Sequence, residues 1–167
     1  MYQPNGQYKG YFSWHNRTDG TPIDRNPASD GETWFVTALF FAAGRWGNGE
    51  GIFNYEVEAN AILNAMLHTE SPRSGATNMF DDETKMVVFV PDFGRVSEFT
   101  DPSYHTPFFY ELWARWAEQD QAFWAEAARV SRDFWRTTAH PETGLMPDYA
   151  EFTGEPVPWG DYGEYFY

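Results

Sequence analysis

Residues 28–46 read ASDGETWFVTALFFAAGRW, and this stretch decides the fold of the chain. Its apolar side chains recur every three or four residues, which is the spacing of an amphipathic α-helix. Ser29 and Glu32 fit a capping box, in which the serine side chain accepts the amide of Glu32 and the glutamate side chain reaches back. Gly44 and Gly47 are typical of a helix end. The stretch therefore predicts a helix that begins near Ser29 and ends before Gly47.

Three more helices are predicted further along the chain. One is capped by Asn54 and runs to about residue 69, another opens at Thr106-Pro107 because proline is favoured at the first helical position, and the last covers residues 120–138. The predicted buried stripe of the second helix is Val57, Ala61, Ile62, Ala65 and Met66. Four helices in this order make two antiparallel pairs, which are the building unit of a helical toroid but cannot close one.

The segments between the helices read as long loops with short strands. Residues 8–14 are predicted to be extended, residues 86–90 to form a strand, and Thr153-Gly154 to turn a hairpin. Residues 71–78 and 140–157 are predicted loops. The fold class is therefore all-α, a partial toroid of helix hairpins with long loops and short strands, and residues 1–167 form one domain.

Charge and composition exclude several functions. The formal net charge is −14, so nucleic acid and anionic membranes, which are themselves negative, are poor partners. No apolar run approaches the roughly 20 residues of a membrane span. Without cysteine there is no disulfide and no thiolate metal site, and we predict neither metal nor cofactor.

Aromatic residues are unusually frequent, at 20% of the chain with 8 tryptophans. Most of these rings must belong to the core. A neutral sugar, however, offers C–H faces and hydroxyls, which suit flat rings and carboxylates respectively. The combination of many aromatic and many acidic residues is therefore compatible with a neutral carbohydrate ligand, although pockets of every kind have aromatic walls.

Four residues are candidates for chemistry, and each also has a structural interpretation. Asp30 either complements the dipole of its helix or accepts hydrogen bonds from sugar hydroxyls. Trp14 either belongs to a core strand or stacks on a sugar ring. Tyr104 and His105 lie on a proline-rigidified loop, where His105 is more often structural than a catalytic base. No His/Asp/Glu cluster has metal-ligand spacing, and no nucleophile elbow, P-loop or dinucleotide fingerprint is present.

The segment around Asp30 resembles the signature of glycoside hydrolase family 8, which runs Ala, Ser or Thr, Asp, Ala or Gly, Asp and then spaced apolar positions. Here it reads Ala28-Ser29-Asp30-Gly31-Glu32, followed by Ala38-Leu39, Ala42 and Trp46. Four positions depart from the pattern: Glu32 replaces the second Asp, and Phe35, Val36 and Phe40 replace residues that are smaller or differently shaped. As a predicted cap, Glu32 is expected to matter little.

Further segments, in consistent order along the chain, resemble one branch of that family, the reducing-end xylose-releasing exo-oligoxylanases. The matching segments are Gly10-Tyr-Phe-Ser-Trp14, Leu39-Phe-Phe-Ala42, Arg45-Trp-Gly47, Phe53-Asn-Tyr55, Asp101-Pro-Ser-Tyr-His105, Phe109-Tyr-Glu-Leu112 and His140-Pro-Glu-Thr-Gly-Leu145. The resemblance implies an (α/α)6 barrel that hydrolyses β-1,4-xylosidic bonds with inversion, and hence a bacterial protein of the cytoplasm.

The resemblance also implies roles for three residues. Asp30 matches the acidic residue that positions the sugar, Trp14 matches a stacking position, and Tyr104 matches a tyrosine that borders the cleavage subsite. The general acid, a Glu, and the general base, an Asp just after the run at residues 162–167, match no residue of this chain. The chain is therefore expected to be an incomplete and inactive middle segment of the catalytic domain, with uncovered apolar faces that favour self-association.

Two other functions are compatible with parts of the sequence. A non-catalytic carbohydrate-binding module explains the aromatic residues, the acidic charge and the unmatched catalytic carboxylates. It does not explain why the ordered segments follow an enzyme's pattern. An unrelated helical interaction domain would require all those matches to be chance.

Overall fold

The computed structural model describes residues 1–69 and 75–159. The first part of the loop predicted at residues 71–78 lies outside the described residues. The aromatic run at residues 162–167 also lies outside the described residues. In the resemblance, the general base directly follows this run.

Four α-helices form the body of the described structure, as the sequence predicts. They are α1 (Ser29–Trp46), α2 (Tyr55–His68), α3 (Pro107–Trp116) and α4 (Gln121–Thr138). Helix α1 packs along α2, α3 packs along α4, and the two hairpins meet where α1 touches α3. The all-α class and the two helix pairs are confirmed.

Two of the predicted helix starts are confirmed. The side chain of Asn54 accepts a hydrogen bond from the amide of Val57, and Pro107 occupies the first turn of α3. Both signals depend on neighbouring residues alone. A cap side chain accepts a hydrogen bond from an amide of the first turn, and proline is tolerated there because the N–H that it lacks would have no partner within the helix.

The capping box of α1 is wrong. Ala28 is the N-cap, and no side chain of the described residues caps this helix. Ser29 instead donates from Oγ to the carbonyl of Phe89 at 3.4 Å, and Glu32 accepts from the amide of Phe12. Loops that pack over the helix start supply these partners, so tertiary contacts replace the local ones.

In residues 1–69 and 75–159, the strands form two small antiparallel pairs. Strand β1 (His15–Asn16) pairs with β2 (Pro22–Asp24), and β3 (Phe99–Thr100) pairs with β4 (Ala150–Glu151). A turn follows β4, where the amide of Gly154 donates to the carbonyl of Glu151 at 2.8 Å, which matches the predicted hairpin.

Two predicted extended segments are not strands. Residues 86–90 make only an isolated bridge between Val87 and Phe80, because the amides of residues 88–90 bond to the carbonyls of Met79, Phe99 and Val96, which do not lie on one strand. Within residues 8–14, the first three form a turn, and only Phe12 makes an isolated bridge, with Tyr2.

The core lies between the hairpins and the loop at residues 76–88. Trp113 and Trp124 meet edge to face at 5.0 Å between ring centroids, and Phe80 lies 5.2 Å from Trp124. Such T-shaped pairs are preferred because the ring edges are positive and the faces negative. These three rings therefore fasten the loop to the α3–α4 hairpin.

The predicted stripe of α2 is partly wrong. Ile62 and Met66 are buried as predicted, but Val57 is 53% exposed and Ala61 is also exposed. The buried side chains are Ala59, Ile62, Leu63, Met66 and Leu67. Because α2 carries apolar residues on more than one side, only its neighbours decide which side is covered.

Helices α1 and α3 keep apolar side chains on the surface of the described structure. Exposed residues here are Trp34, Phe35, Phe41, Trp46, Phe108 and Trp116. No helix among the described residues has both the length and the apolar character to cross a membrane.

Candidate functional site

A cavity of about 400 Å³ lies where the start of α1 meets the segment before β1 and the turn before α3. Asp30, Trp14 and Tyr104 all line it, although they come from three separate parts of the chain. Its remaining lining residues are Met1, Phe12, Ser13, Asn16, Ala28, Gly31, Glu32 and Phe35. The structure therefore brings the three residues of the sequence-predicted site together.

Asp30 is the second residue of α1 and is half-buried. Burial raises the pKa of its carboxyl above the ordinary value, against the opposing effect of the amides of Gly31 and of Asp30 itself. Burial acts in this direction because it removes water from the charged form. The result is a poorly hydrated carboxylate at the cavity wall, and such a group can accept hydrogen bonds from hydroxyls.

Trp14 presents its ring to solvent, with 58% of the residue exposed. Its amide donates to the carbonyl of Asn26 at 3.0 Å. The pKa of Asp24 is lowered, first by the amide of Asn26 and then by a hydrogen bond from the Trp14 side chain. The backbone of Trp14 is thus fixed, and the ring of His15 lies 5.0 Å from the indole between centroids, so the exposed part of the indole is what a ligand could contact.

Tyr104 ends a short 3₁₀ turn, Pro102–Tyr104. The side chain of Asp101 accepts from the amide of Ser103 at 2.7 Å, and the indole of Trp135 in α4 donates to the carbonyl of Pro102 at 3.0 Å. Burial, followed by the charges of Asp30 and Asp101, raises the pKa of the Tyr104 phenol. The phenol therefore keeps its proton and can donate a hydrogen bond at the cavity.

His105 does not reach the cavity surface, since it is only 1% exposed. Its two ring nitrogens lie 3.0 Å from Oγ1 of Thr100 and 2.9 Å from Oγ of Ser131, and its ring stacks on Phe134. Burial lowers its pKa to about 3, so the ring is neutral. The structural interpretation of His105 is therefore favoured over the catalytic one, and the residue anchors the Tyr104 turn to α4.

Two carboxylates near the site have no role in the sequence interpretation. Burial raises the pKa of Asp101, with contributions from the charges of Asp148 and Asp30, and burial also raises the pKa of Asp148. Both charges also act on Tyr104. Asp101 could have been found, because it begins the Asp101-to-His105 segment that matches the family. Asp148 lies in a predicted loop and carries no such signal.

A metal site is not formed by the residues that the structure describes. Within residues 1–69 and 75–159, no three His, Cys, Asp or Glu side chains are arranged to hold a metal ion.

Comparison with known proteins places these residues in an enzyme family. The family model of the glycosyl hydrolases family 8 matches residues 5–165. The reducing-end xylose-releasing exo-oligoxylanase Rex8A of Paenibacillus barcinonensis is 45% identical over 99% of this chain, which spans 42% of that relative's length.

Solved structures show the same likeness. The structure of Rex8A complexed with xylose matches 98% of this chain and 42% of its own with a TM-score of 0.90 at 44% identity. A GH8 xylobiose complex from Teredinibacter turnerae matches 98% of this chain and 44% of its own with a TM-score of 0.91 at 50% identity. The two helix hairpins are therefore part of an (α/α)6 barrel, as the resemblance implies.

Proposed function

This chain belongs to the glycosyl hydrolases family 8, and we propose that it supplies the sugar-positioning wall of an enzyme that hydrolyses β-1,4-xylosidic bonds in xylo-oligosaccharides with inversion. The observation that carries the proposal is the meeting of Asp30, Trp14 and Tyr104 at one cavity. The relatives support the substrate class, because one releases xylose from the reducing end and another binds xylobiose. The branch resemblance supports a cytoplasmic location.

Asp30 holds the sugar at the cleavage subsite. A carboxylate accepts hydrogen bonds through two oxygens, and hydroxyls are the donors that a xylose ring offers. Asp30 is half-buried and its pKa is raised, so its carboxylate is poorly hydrated. A sugar that binds to it therefore displaces few water molecules. This carboxylate therefore binds and orients the ring.

Trp14 and Tyr104 complete the wall. Trp14 is largely exposed and its indole interacts with Asp24, which suits stacking on the C–H face of a pyranose. Tyr104 remains protonated beside Asp30 and donates from its hydroxyl toward the sugar or the attacking water.

Inversion needs two more groups. One carboxylic acid protonates the leaving oxygen, and one carboxylate activates a water on the opposite face of the ring. The three wall residues match neither role in the family. The proposal assigns both roles to parts of the relatives' fold outside the 42% of their length that this chain matches.

Xylotriose hydrolysis tests the proposal. The 167-residue chain is assayed beside a chimera that adds the flanking segments of the Paenibacillus barcinonensis relative, and the anomer of the first product is followed by NMR. We expect hydrolysis with inversion by the chimera and none by the chain alone. In the chimera, D30N is expected to lower kcat/KM by about 100-fold, the usual loss when one transition-state hydrogen bond is removed.

Other results would change the assignment. Hydrolysis by the 167-residue chain alone would show that the acid and base lie among its own carboxylates. A chimera that binds xylotriose without cleaving it would favour the alternative function, a non-catalytic carbohydrate-binding module.

A further inference from the structure

Glu32 is a buried carboxyl group that no proposed step uses. It lies in the first turn of α1 and is 1% exposed. One oxygen, Oε1, accepts from the amide of Phe12 at 2.7 Å. The other, Oε2, is buried and has no hydrogen-bond partner among the described residues. A buried carboxyl that does not cap its helix requires another explanation, because its burial is costly.

The bond to Phe12 joins the two walls of the cavity. Glu32 follows Asp30 by two residues on α1, and Phe12 precedes Trp14 by two residues on the N-terminal segment. Both partners line the cavity themselves. Phe12 is further held by Phe35 of α1, with 4.5 Å between ring centroids. A shift of Phe12 along α1 would therefore move Trp14 relative to Asp30.

We infer that Glu32 is a positioning residue of the sugar site, which sets the place of Trp14 relative to Asp30 by accepting the Phe12 amide. The inference rests on the proposed function, because it assigns a purpose to the spacing of two sugar-binding residues. Glu32 thus has a role in the site, although it does not cap its helix.

Glu32 acts as a neutral acid at pH 7. Burial raises its pKa to about 8, against the opposing effect of the Phe12 amide, and the charge of Asp30 adds to the rise. The groups that face it are Asp30 on α1 and, from the N-terminal segment, the amino group of Met1 and the phenol of Tyr11. Oε1 accepts the Phe12 amide, which leaves Oε2 as the oxygen available to carry the proton. Ionisation would place a second negative charge beside Asp30.

Two substitutions of similar size separate the bond from the bulk of the side chain. Glu32→Gln keeps an oxygen for the Phe12 amide and cannot ionise, whereas Glu32→Met fills the space without an acceptor. Glu83→Gln, at an exposed glutamate, is the matched control. Xylotriose affinity is measured by calorimetry, and exchange of the Phe12 amide hydrogen by NMR, with circular dichroism as the check on folding.

At pH 7, Glu32→Gln and the control are expected to bind xylotriose as the wild type does and to protect the Phe12 amide. Glu32→Met is expected to expose that amide and to lose about tenfold in affinity, which corresponds to one hydrogen bond. Above pH 8, affinity is expected to fall in the wild type and to stay constant in Glu32→Gln. With circular dichroism showing a folded protein at each pH, loss of stability alone would not produce this difference in affinity.

Several outcomes would overturn the inference. These are a folded Glu32→Met that binds like the wild type, a Glu32→Gln that loses affinity, or a fall in affinity above pH 8 that persists in Glu32→Gln. If Glu32→Met does not fold, the pH profiles of wild type and Glu32→Gln decide. A wild type that binds no xylotriose would overturn the proposed function and the inference with it, a result distinct from the others.

Discussion

The indole of Trp113 donates to Oγ1 of Thr37 at 3.1 Å, and this buried hydrogen bond joins α3 to α1. The same hydroxyl donates to the carbonyl of Thr33 at 3.0 Å, so one side chain satisfies two groups. The bond links the two helix hairpins whose ends carry Tyr104 and Asp30. This polar contact adds to the aromatic contacts between α1 and α3, such as the pair of Trp34 and Phe109.

Removing the Thr37 hydroxyl is expected to destabilise the protein. Thr37→Val has nearly the same shape but leaves the buried Trp113 N–H without an acceptor, at a cost of about 1–3 kcal/mol. Thr37→Ser keeps the hydroxyl and is the control. Urea unfolding followed by circular dichroism measures the difference, and a Thr37→Val protein as stable as Thr37→Ser would contradict the prediction.

Acid is expected to destabilise the fold through His105. Its folded pKa is lowered to about 3, whereas the unfolded value is near 6.5. Below pH 6.5 the unfolded chain binds a proton that the folded protein excludes. The free energy of unfolding therefore decreases as the pH is lowered, by at most about 1.4 kcal/mol per pH unit.

The acid effect is best measured in the Glu32→Gln background, where Glu32 no longer titrates. Unfolding free energies at pH 6.5 and pH 4.5 are compared with those of Glu32→Gln/His105→Gln. An equal pH dependence of the two proteins would assign the acid effect to other groups.

Alkali is expected to destabilise the fold through Glu32. Its folded pKa is raised to about 8 from an ordinary value of 4.5, so the folded protein holds a proton that the unfolded chain has lost. The contribution of protonated Glu32 to the free energy of unfolding is fully present below pH 4.5. It is lost as the pH rises to 8, by at most about 1.4 kcal/mol per pH unit.

Between pH 6.5 and pH 8 the Glu32 effect acts without that of His105. Unfolding measured in this window is expected to show a decline in the wild type and in the control Glu83→Gln, and none in Glu32→Gln. A decline of equal slope in Glu32→Gln would show that Glu32 is already ionised in the folded protein.

Asp24 is expected to affect sugar binding through Trp14. Trp14→Ala removes the stacking surface and should weaken xylotriose binding by about tenfold, the upper range for an aromatic contact. Asp24→Ala frees the indole and should cost about threefold, while Asp24→Asn keeps an acceptor and should bind normally. Calorimetry ranks the xylotriose affinities of these variants. An Asp24→Ala protein with wild-type affinity would show that Asp24 is not needed to hold the indole.

The exposed aromatic side of α1 and α3 is expected to cause self-association of the 167-residue chain. Trp46 is 73% exposed, and Trp34, Phe41 and Phe108 are also at the surface. Apolar surface of this kind associates in water. Sedimentation is expected to show an apparent mass that rises with protein concentration. The substitution Phe41→Glu is expected to reduce that rise. A monomer at all concentrations would refute the prediction.

Local patterns predicted much of the fold. The bounds of the helices follow from apolar periodicity, from Asn54 as a cap and from Pro107 at a helix start, and none of these depends on distant residues. Three wrong predictions share one cause. For the capping box of α1, the strand at residues 86–90 and the stripe of α2, contacts with other segments of the chain decided the outcome.

Some residues of the site were likewise identified from the sequence, and others only from the structure. Asp30, Trp14 and Tyr104 were identified by resemblance, and their roles remain predictions. Asp101 and Asp148 were missed, because a carboxylate in a loop acquires its character only from what surrounds it.

The sequence by itself determined the helices, the family and the three residues of the cavity wall, because periodicity, caps and motifs are written in neighbouring positions. Only the tertiary structure decided that those residues face one cavity, that His105 is neutral and that Glu32 keeps its proton. Burial and hydrogen-bond partners set these properties, and the partners of Glu32 and His105 come from segments that meet only when the chain folds.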